Sequence, residues 1–132
     1  MKPELMWLLW AVALAFAQML IAVGGAALQV GLPTLVGNRE GLLPCTGWAG
    51  RAARAHHNML ESLVLFTALV LVAVTAGKTS DTTAFAAQLF VWTRLAYALI
   101  YVAGIPWLRT ALWLASVWAM ILIFWAVLQG PR

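Results

Sequence analysis

The chain has 132 residues, of which 64% are hydrophobic and 9% are charged, and its formal net charge is +4. Soluble domains are roughly half apolar and about a quarter charged, so this composition excludes a soluble enzyme domain and a disordered chain. The length predicts a single integral membrane domain over residues 1–132. The sparse charges form no basic stripe of the kind that binds nucleic acid, so no nucleic-acid partner is expected.

Four apolar segments are predicted to span the membrane as helices, because a span needs about 20 apolar residues. The first lies in a stretch without charge between Leu5 and Asn38, and Gly31 marks its end. This stretch continues well past a possible signal-peptide cleavage site, which favours an uncleaved span over a cleaved leader. Pro106 suits the first turn of the last helix. In chain order, the predicted spans are residues 5–30, 50–76, 82–103 and 107–128.

The charged residues outside the apolar segments favour one orientation in the membrane. Four arginines belong to the side of the first and third loops, against two lysines and one arginine on the other side. The excess of positive charge predicts cytoplasmic first and third loops, with both termini on the opposite side. The first group is Arg39, Arg51, Arg54 and Arg109; the second is Lys2, Lys78 and Arg132.

The second predicted span carries a polar stripe along one face. At about 100° per residue, five polar side chains fall within about 120° of arc. Ionisable groups inside a span cost roughly 2.5–3.5 kcal/mol each, so they need partners or a wet cavity. The stripe consists of Arg51, Arg54, His57, Asn58 and Glu61.

The third span has a matching stripe, formed by Arg94, Tyr97 and Tyr101. Because the third span leaves the membrane where the second enters, Glu61 and Arg94 both lie about 15 Å in and are predicted to be level. Asn58 is then predicted to match Tyr97, one turn shallower. This arrangement predicts a cavity in one leaflet with one deep acid, which suits a small anionic ligand that also carries a positive group. Its basic mouth would contain Arg51, Arg54, Tyr101 and Arg109.

These residues also have purely structural interpretations. Glu61 with Arg94 or Arg54 can form an ion pair that only joins helices. Tyrosines often serve packing, and Arg109 suits an arginine that extends toward the membrane interface. His56 lies away from the stripe without a second ligand at zinc spacing, and the single cysteine excludes a cysteine-based zinc site, so no metal is predicted.

Three motifs resemble those of the MAPEG superfamily, which comprises membrane-associated proteins in eicosanoid and glutathione metabolism. The resemblance covers all four predicted spans in chain order. The stretch from Arg51 to Glu61, R-A-A-R-A-H-H-N-M-L-E, resembles the family's R-x-x-R-A-H-x-N-x-x-E signature. R-L-A-Y-A-L-I-Y from Arg94 is similar to R-x-x-[HY]-x-x-x-Y, and P-W-L-R-T from Pro106 is similar to P-x-x-R-[ST].

The resemblance implies an all-α membrane protein, a four-transmembrane-helix bundle that forms a homotrimer, with glutathione as co-substrate between subunits. It implies that Arg109 is the catalytic residue that stabilises the glutathione thiolate. Some glutathione-binding members have Arg where this chain has His57, and some have Tyr where it has Trp113. The residues implied to bind glutathione are Arg51, Arg54, His57, Asn58, Glu61, Arg94, Tyr97 and Tyr101.

The leading hypothesis is therefore a glutathione-dependent membrane transferase or peroxidase that acts on lipophilic electrophiles, with membrane lipids and a lipophilic small molecule as partners. The first alternative is a non-catalytic lipid-binding or scaffold protein of the same fold. A small multidrug transporter is a further alternative, but its membrane acid must exchange protons freely. Crowding of Glu61 by Arg54 and Arg94 argues against it. A purely structural bundle is the last alternative.

Overall fold

The computed structural model describes residues 1–130, so the predicted placement of Arg132 lies outside the described residues. Over this range the chain forms four long helices and one short one, without β-strands. Each long helix is long and apolar enough to cross a membrane, which confirms the predicted all-α fold with four membrane-spanning helices. The helices are α1 (Pro3–Val30), α2 (Leu32–Val36), α3 (Gly47–Thr75), α4 (Asp81–Ala103) and α5 (Pro106–Gln129).

The short helix α2, in the first loop, was not anticipated from the sequence. Gly31 ends α1 with a φ of 84°, a left-handed value that favours glycine. Pro33 then occupies the first turn of α2, where its missing N–H costs nothing. Two hydrogen bonds between Gln29 and Thr46, of 2.6 and 3.0 Å, tie the end of α1 to the start of α3.

The helices pack closely because small residues line their contacts, as helices in lipid prefer. α1 runs antiparallel to α3, and a Cβ placed on Gly25 would lie 2.8 Å from the Cβ of Ala49. Between α3 and α4, the buried rings of Phe66 and Phe90 stack with centroids 4.0 Å apart. Large apolar side chains cover much of the outside of the bundle, as expected of a surface that faces lipid.

The end of the bundle away from the first and third loops is held by polar contacts. Ser80 caps the start of α4 in a reciprocal capping box with Thr83. The Thr83 hydroxyl also donates a 2.6 Å hydrogen bond to Glu4, whose side chain is buried at the start of α1. The starts of α1 and α4 are therefore level at this face of the membrane.

Candidate functional site

The polar residues of α3 and α4 meet around one buried arginine. Arg94 is 1% exposed, and its Nη2 donates a 2.8 Å hydrogen bond to the Asn58 side-chain oxygen. Its guanidinium carbon also lies 4.1 Å from the centre of the Tyr97 ring, which is a cation–π contact. Arg94 therefore fixes the positions of one residue from each of the two predicted stripes.

An aromatic series continues from Arg94 to the start of α5. The rings of Tyr97 and Tyr101 meet edge to face with centroids 5.5 Å apart. The guanidinium of Arg109 lies 4.5 Å from the centre of the Tyr101 ring. α5 begins at Pro106, so Arg109 lies where unpaired helix N–H groups add partial positive charge.

Two hollows adjoin this series, and Asn58 lines both. A small cavity of about 180 Å³ lies between α3, α4 and α5, and an open groove of about 390 Å³ runs along α3. Small-molecule sites measure about 300–1,000 Å³, so the groove alone reaches that size. Asn58, Tyr97, Arg109, Thr110 and Trp113 line the cavity, and Ala53, Arg54, His57, Asn58 and Glu61 line the groove.

Arg51 and Arg54, two arginines of the predicted mouth, have different surroundings. The Arg51 Nε donates a 2.9 Å hydrogen bond to the Val102 carbonyl in the last turn of α4. This satisfies a carbonyl that the end of the helix leaves free. Gly104, which ends α4 in the left-handed conformation, lies against the Arg51 side chain. Arg54 is exposed on the groove, so its guanidinium is free to meet a ligand there.

The predicted alignment of Glu61 with Arg94 at one depth is wrong. Arg94 bonds Asn58 instead, and Glu61 lies 3.8 Å from His57 one turn earlier on α3. The reason is the start of α3, which is Gly47 and not residue 50. Three extra residues place Glu61 almost one turn deeper than predicted, so that Asn58 is level with Arg94.

Two lining residues of the small cavity were missed as site residues, although both stand in the motif region of the sequence. Trp113 lies four residues after Arg109 and three after Thr110, so the three side chains fall within about 100° of arc on α5. That spacing was the available signal. The cavity therefore offers a hydroxyl and an aromatic wall beside the guanidinium.

The charges of the site suit an anion with one cationic group. Two arginines, Arg54 and Arg109, line the two hollows, against one carboxylate, Glu61. Within residues 1–130, no cluster of three His, Cys, Asp or Glu side chains could hold a metal ion.

The fold and the site together define a class: a four-span membrane protein with a basic, tyrosine-lined cavity between helices at one membrane face. The sequence model of the MAPEG family matches residues 7–129. The chain therefore belongs to the MAPEG family, which associates it with eicosanoid or glutathione metabolism at the membrane. Neither the curated proteins nor the solved structures give a significant match to it.

Proposed function

We propose that this protein is a glutathione-dependent membrane transferase or peroxidase that acts on lipophilic electrophiles. The observation that carries the proposal is the small cavity where Arg109, Tyr97 and Asn58 converge, beside a groove lined by Arg54 and Glu61. The cavity is sized for a small reacting group, and the groove is sized for the rest of a peptide-like ligand.

Glutathione has two carboxylates, one ammonium group and one thiol, and the charges of the groove suit one of the carboxylates and the ammonium group. Arg54 supplies an exposed guanidinium for a carboxylate, and Glu61 supplies a carboxylate for the ammonium group. Asn58 stands between the groove and the cavity. Glutathione bound in the groove would direct its thiol into the cavity.

Arg109 is the group that we propose to activate the thiol. A free thiol has a pKa of about 8.5 and is mostly protonated at neutral pH. A guanidinium beside the sulfur lowers the pKa of the thiol and favours the thiolate, which is the nucleophile. Stacking on the Tyr101 ring, 4.5 Å away, holds Arg109 in place without using its N–H groups.

The second reactant would come from the membrane. Below the small cavity, α3 and α5 form an apolar groove of about 360 Å³ lined by residues such as Leu65, Val117 and Phe124. This groove faces the bilayer, where lipophilic electrophiles concentrate. It lies on the same α3–α5 seam as the cavity, so that an apolar molecule in it would point toward Arg109.

We also propose that the active form is a homotrimer with cytoplasmic first and third loops. The side chains of His57 and Glu61 are 81% and 70% exposed on a helix that spans the membrane. Polar groups facing lipid are costly, and a second copy packed on this face would remove them from lipid. The groove would then lie between two subunits.

The proposal is tested first by thermal stabilisation of the purified protein with millimolar glutathione, and then by steady-state kinetics with a generic electrophile. Arg109→Ala should lower turnover and abolish the ultraviolet absorbance of bound thiolate, with less effect on glutathione affinity. Arg54→Ala should mainly weaken binding, because carboxylates keep their charge throughout the reaction. Each loss should be about 10- to 150-fold, the equivalent of a charge-assisted hydrogen bond of about 1.5–3 kcal/mol.

Arg39→Ala is the matched control, because Arg39 lies in the first loop and its side chain bonds only the Leu35 carbonyl among the described residues. Arg39→Ala should leave both the turnover and the glutathione affinity unchanged. Binding without turnover in the unaltered protein would favour the non-catalytic alternative. One feature supports that alternative. Some glutathione-binding members have Tyr where this chain has Trp113 in the cavity wall, and an indole can only donate a hydrogen bond.

A further inference from the structure

Three side chains have buried polar atoms without a hydrogen-bond partner among residues 1–130, although the His56 residue as a whole is only half-buried. They are Gln18 on α1, with its Oε1, His56 on α3, with its Nδ1, and Arg94 on α4, with its Nε and Nη1. Gln18 is 7% exposed and Arg94 is 1% exposed. A buried polar atom without a partner destabilises the fold, and more so when the group is charged, so four such atoms call for an explanation.

The register of the helices brings Gln18 and His56 to the same depth. Gly25 of α1 packs directly on Ala49 of α3, and the two helices are antiparallel. Gln18 lies two helical turns before Gly25, and His56 lies two turns after Ala49. Two turns return a side chain to nearly the same face, so Gln18 and His56 face each other across the α1–α3 contact.

Arg94 lies at nearly the same depth. Its side chain bonds Asn58, which lies about 3 Å along the axis of α3 from His56 but on the opposite face of that helix, so the unpaired group that can approach Arg94 is Gln18. From the contact between Glu4 and Thr83, Gln18 lies 14 residues further along α1 and Arg94 lies 11 residues further along α4, so both side chains return to nearly the same shared face. α4 packs against both α1 and α3. The unpaired atoms thus belong to one layer of the three-helix contact, in the leaflet that holds the candidate site.

The chemistry of the unpaired atoms is complementary. Gln18 Oε1 accepts hydrogen bonds, the two Arg94 nitrogens only donate, and the His56 nitrogen does either according to its tautomer. No direct hydrogen bond joins them within residues 1–130. Buried water usually makes about three hydrogen bonds to such groups and needs two to four polar partners, a requirement that this layer meets.

We propose that Gln18, His56 and Arg94 bind ordered water between α1, α3 and α4, and that Gln18 thereby acts as a positioning residue for Arg94. The water accepts from the guanidinium and donates to the Gln18 oxygen, which leaves Arg94 Nη2 directed at Asn58. The inference deepens the proposed function, because it gives α1, which carries no other site residue, a part in the glutathione site.

The deciding experiment is NMR of the ¹⁵N-labelled protein in detergent, which follows the Nε–H signal of Arg94. This signal is identified by its loss in Arg94→Lys. The signal should exchange slowly with bulk solvent and show a cross-peak to bound water. It should shift in Gln18→Leu, and should stay in place in Gln88→Leu, the same change at an exposed glutamine on α4. A signal that Gln18→Leu leaves in place, or that shows no contact with water, would overturn the inference.

A second measurement covers the case in which Gln18→Leu does not fold. Gln18→Glu places a carboxylate in the layer, where Arg94 can compensate it through the same water. The unfolding temperature of Gln18→Glu should therefore match or exceed that of the unaltered protein. In an Arg94→Leu background, the same change should lower the unfolding temperature, because the carboxylate would have no cation. Equal destabilisation in both backgrounds would rule out contact between the two residues.

Glutathione affinity separates this inference from the proposed function. If the unaltered protein binds glutathione, Gln18→Leu should weaken binding about 3- to 10-fold through the disturbed Arg94, the size of coupling usual between contacting residues. If the unaltered protein does not bind glutathione, the proposed function fails, whereas the Arg94 signal still decides whether the water layer exists. Unchanged affinity in Gln18→Leu would refute the positioning role.

Discussion

Asn58→Ala should destabilise the protein more than its small loss of volume suggests. The Asn58 side-chain oxygen is the acceptor of the one protein hydrogen bond that the Arg94 side chain makes within residues 1–130, at 2.8 Å. Arg94 is 1% exposed, so bulk water cannot replace the lost acceptor. Hydrogen bonds to charged groups contribute about 1.5–3 kcal/mol, and we expect a loss of that size in the free energy of unfolding.

The assay is thermal unfolding of the detergent-solubilised protein. At about 4 °C per kcal/mol for a chain of this length, the midpoint should fall by roughly 6–12 °C. Asn58→Asp should restore it, since a carboxylate accepts the same hydrogen bond. Gln88→Ala truncates an exposed amide on the same bundle and should change the midpoint by no more than about 2 °C. An Asn58→Ala midpoint as high as that of Gln88→Ala would show that Asn58 does not hold Arg94.

Three further outcomes are expected. Gly50→Ala should lower the unfolding temperature, because the new Cβ would overlap the Cys45 carbonyl oxygen. Gly24→Ala, with open space around it, should leave that temperature equal or higher. The reverse order would contradict the close approach of the first loop to Gly50. Thr83→Val should cost about 1–3 kcal/mol in thermal unfolding, since it leaves the buried Glu4 without its hydroxyl donor, and an unchanged midpoint would argue against that contact. Mass measurement in mild detergent should give three chains per particle, and a monomer alone would refute the proposed trimer.

The sequence predicted the spans and the polar faces well, because both depend on properties that repeat along a helix. Apolar length determines which segments cross the membrane, and the period of 3.6 residues placed Arg94, Tyr97 and Tyr101 on one face. The observed aromatic series from Tyr97 to Arg109 follows from that face. Neither inference depends on where a helix begins.

Contacts between helices were harder to predict because they depend on register and on side-chain rotamers. The early start of α3 moved Glu61 away from Arg94. The sequence did not indicate that the Arg51 Nε bonds the Val102 carbonyl at the end of α4. A free carbonyl at a helix end attracts a nearby guanidinium, but only the packing of α3 on α4 brings the two together.

The unequal lengths of the helices shape access to the site. α1 has 28 residues and α4 has 23, and the contact between Glu4 and Thr83 makes their starts level. At about 1.5 Å per residue, α1 therefore extends about 8 Å beyond α4 on the side of the site. α3, which begins beside the end of α1, shares this projecting part and carries Arg51 and Arg54 near it. Under the proposed function, a water-soluble peptide would be captured at the depth of the lipid headgroups and an apolar reactant would approach from within the bilayer. Two compounds of opposite solubility would then meet without either one crossing into the other's solvent.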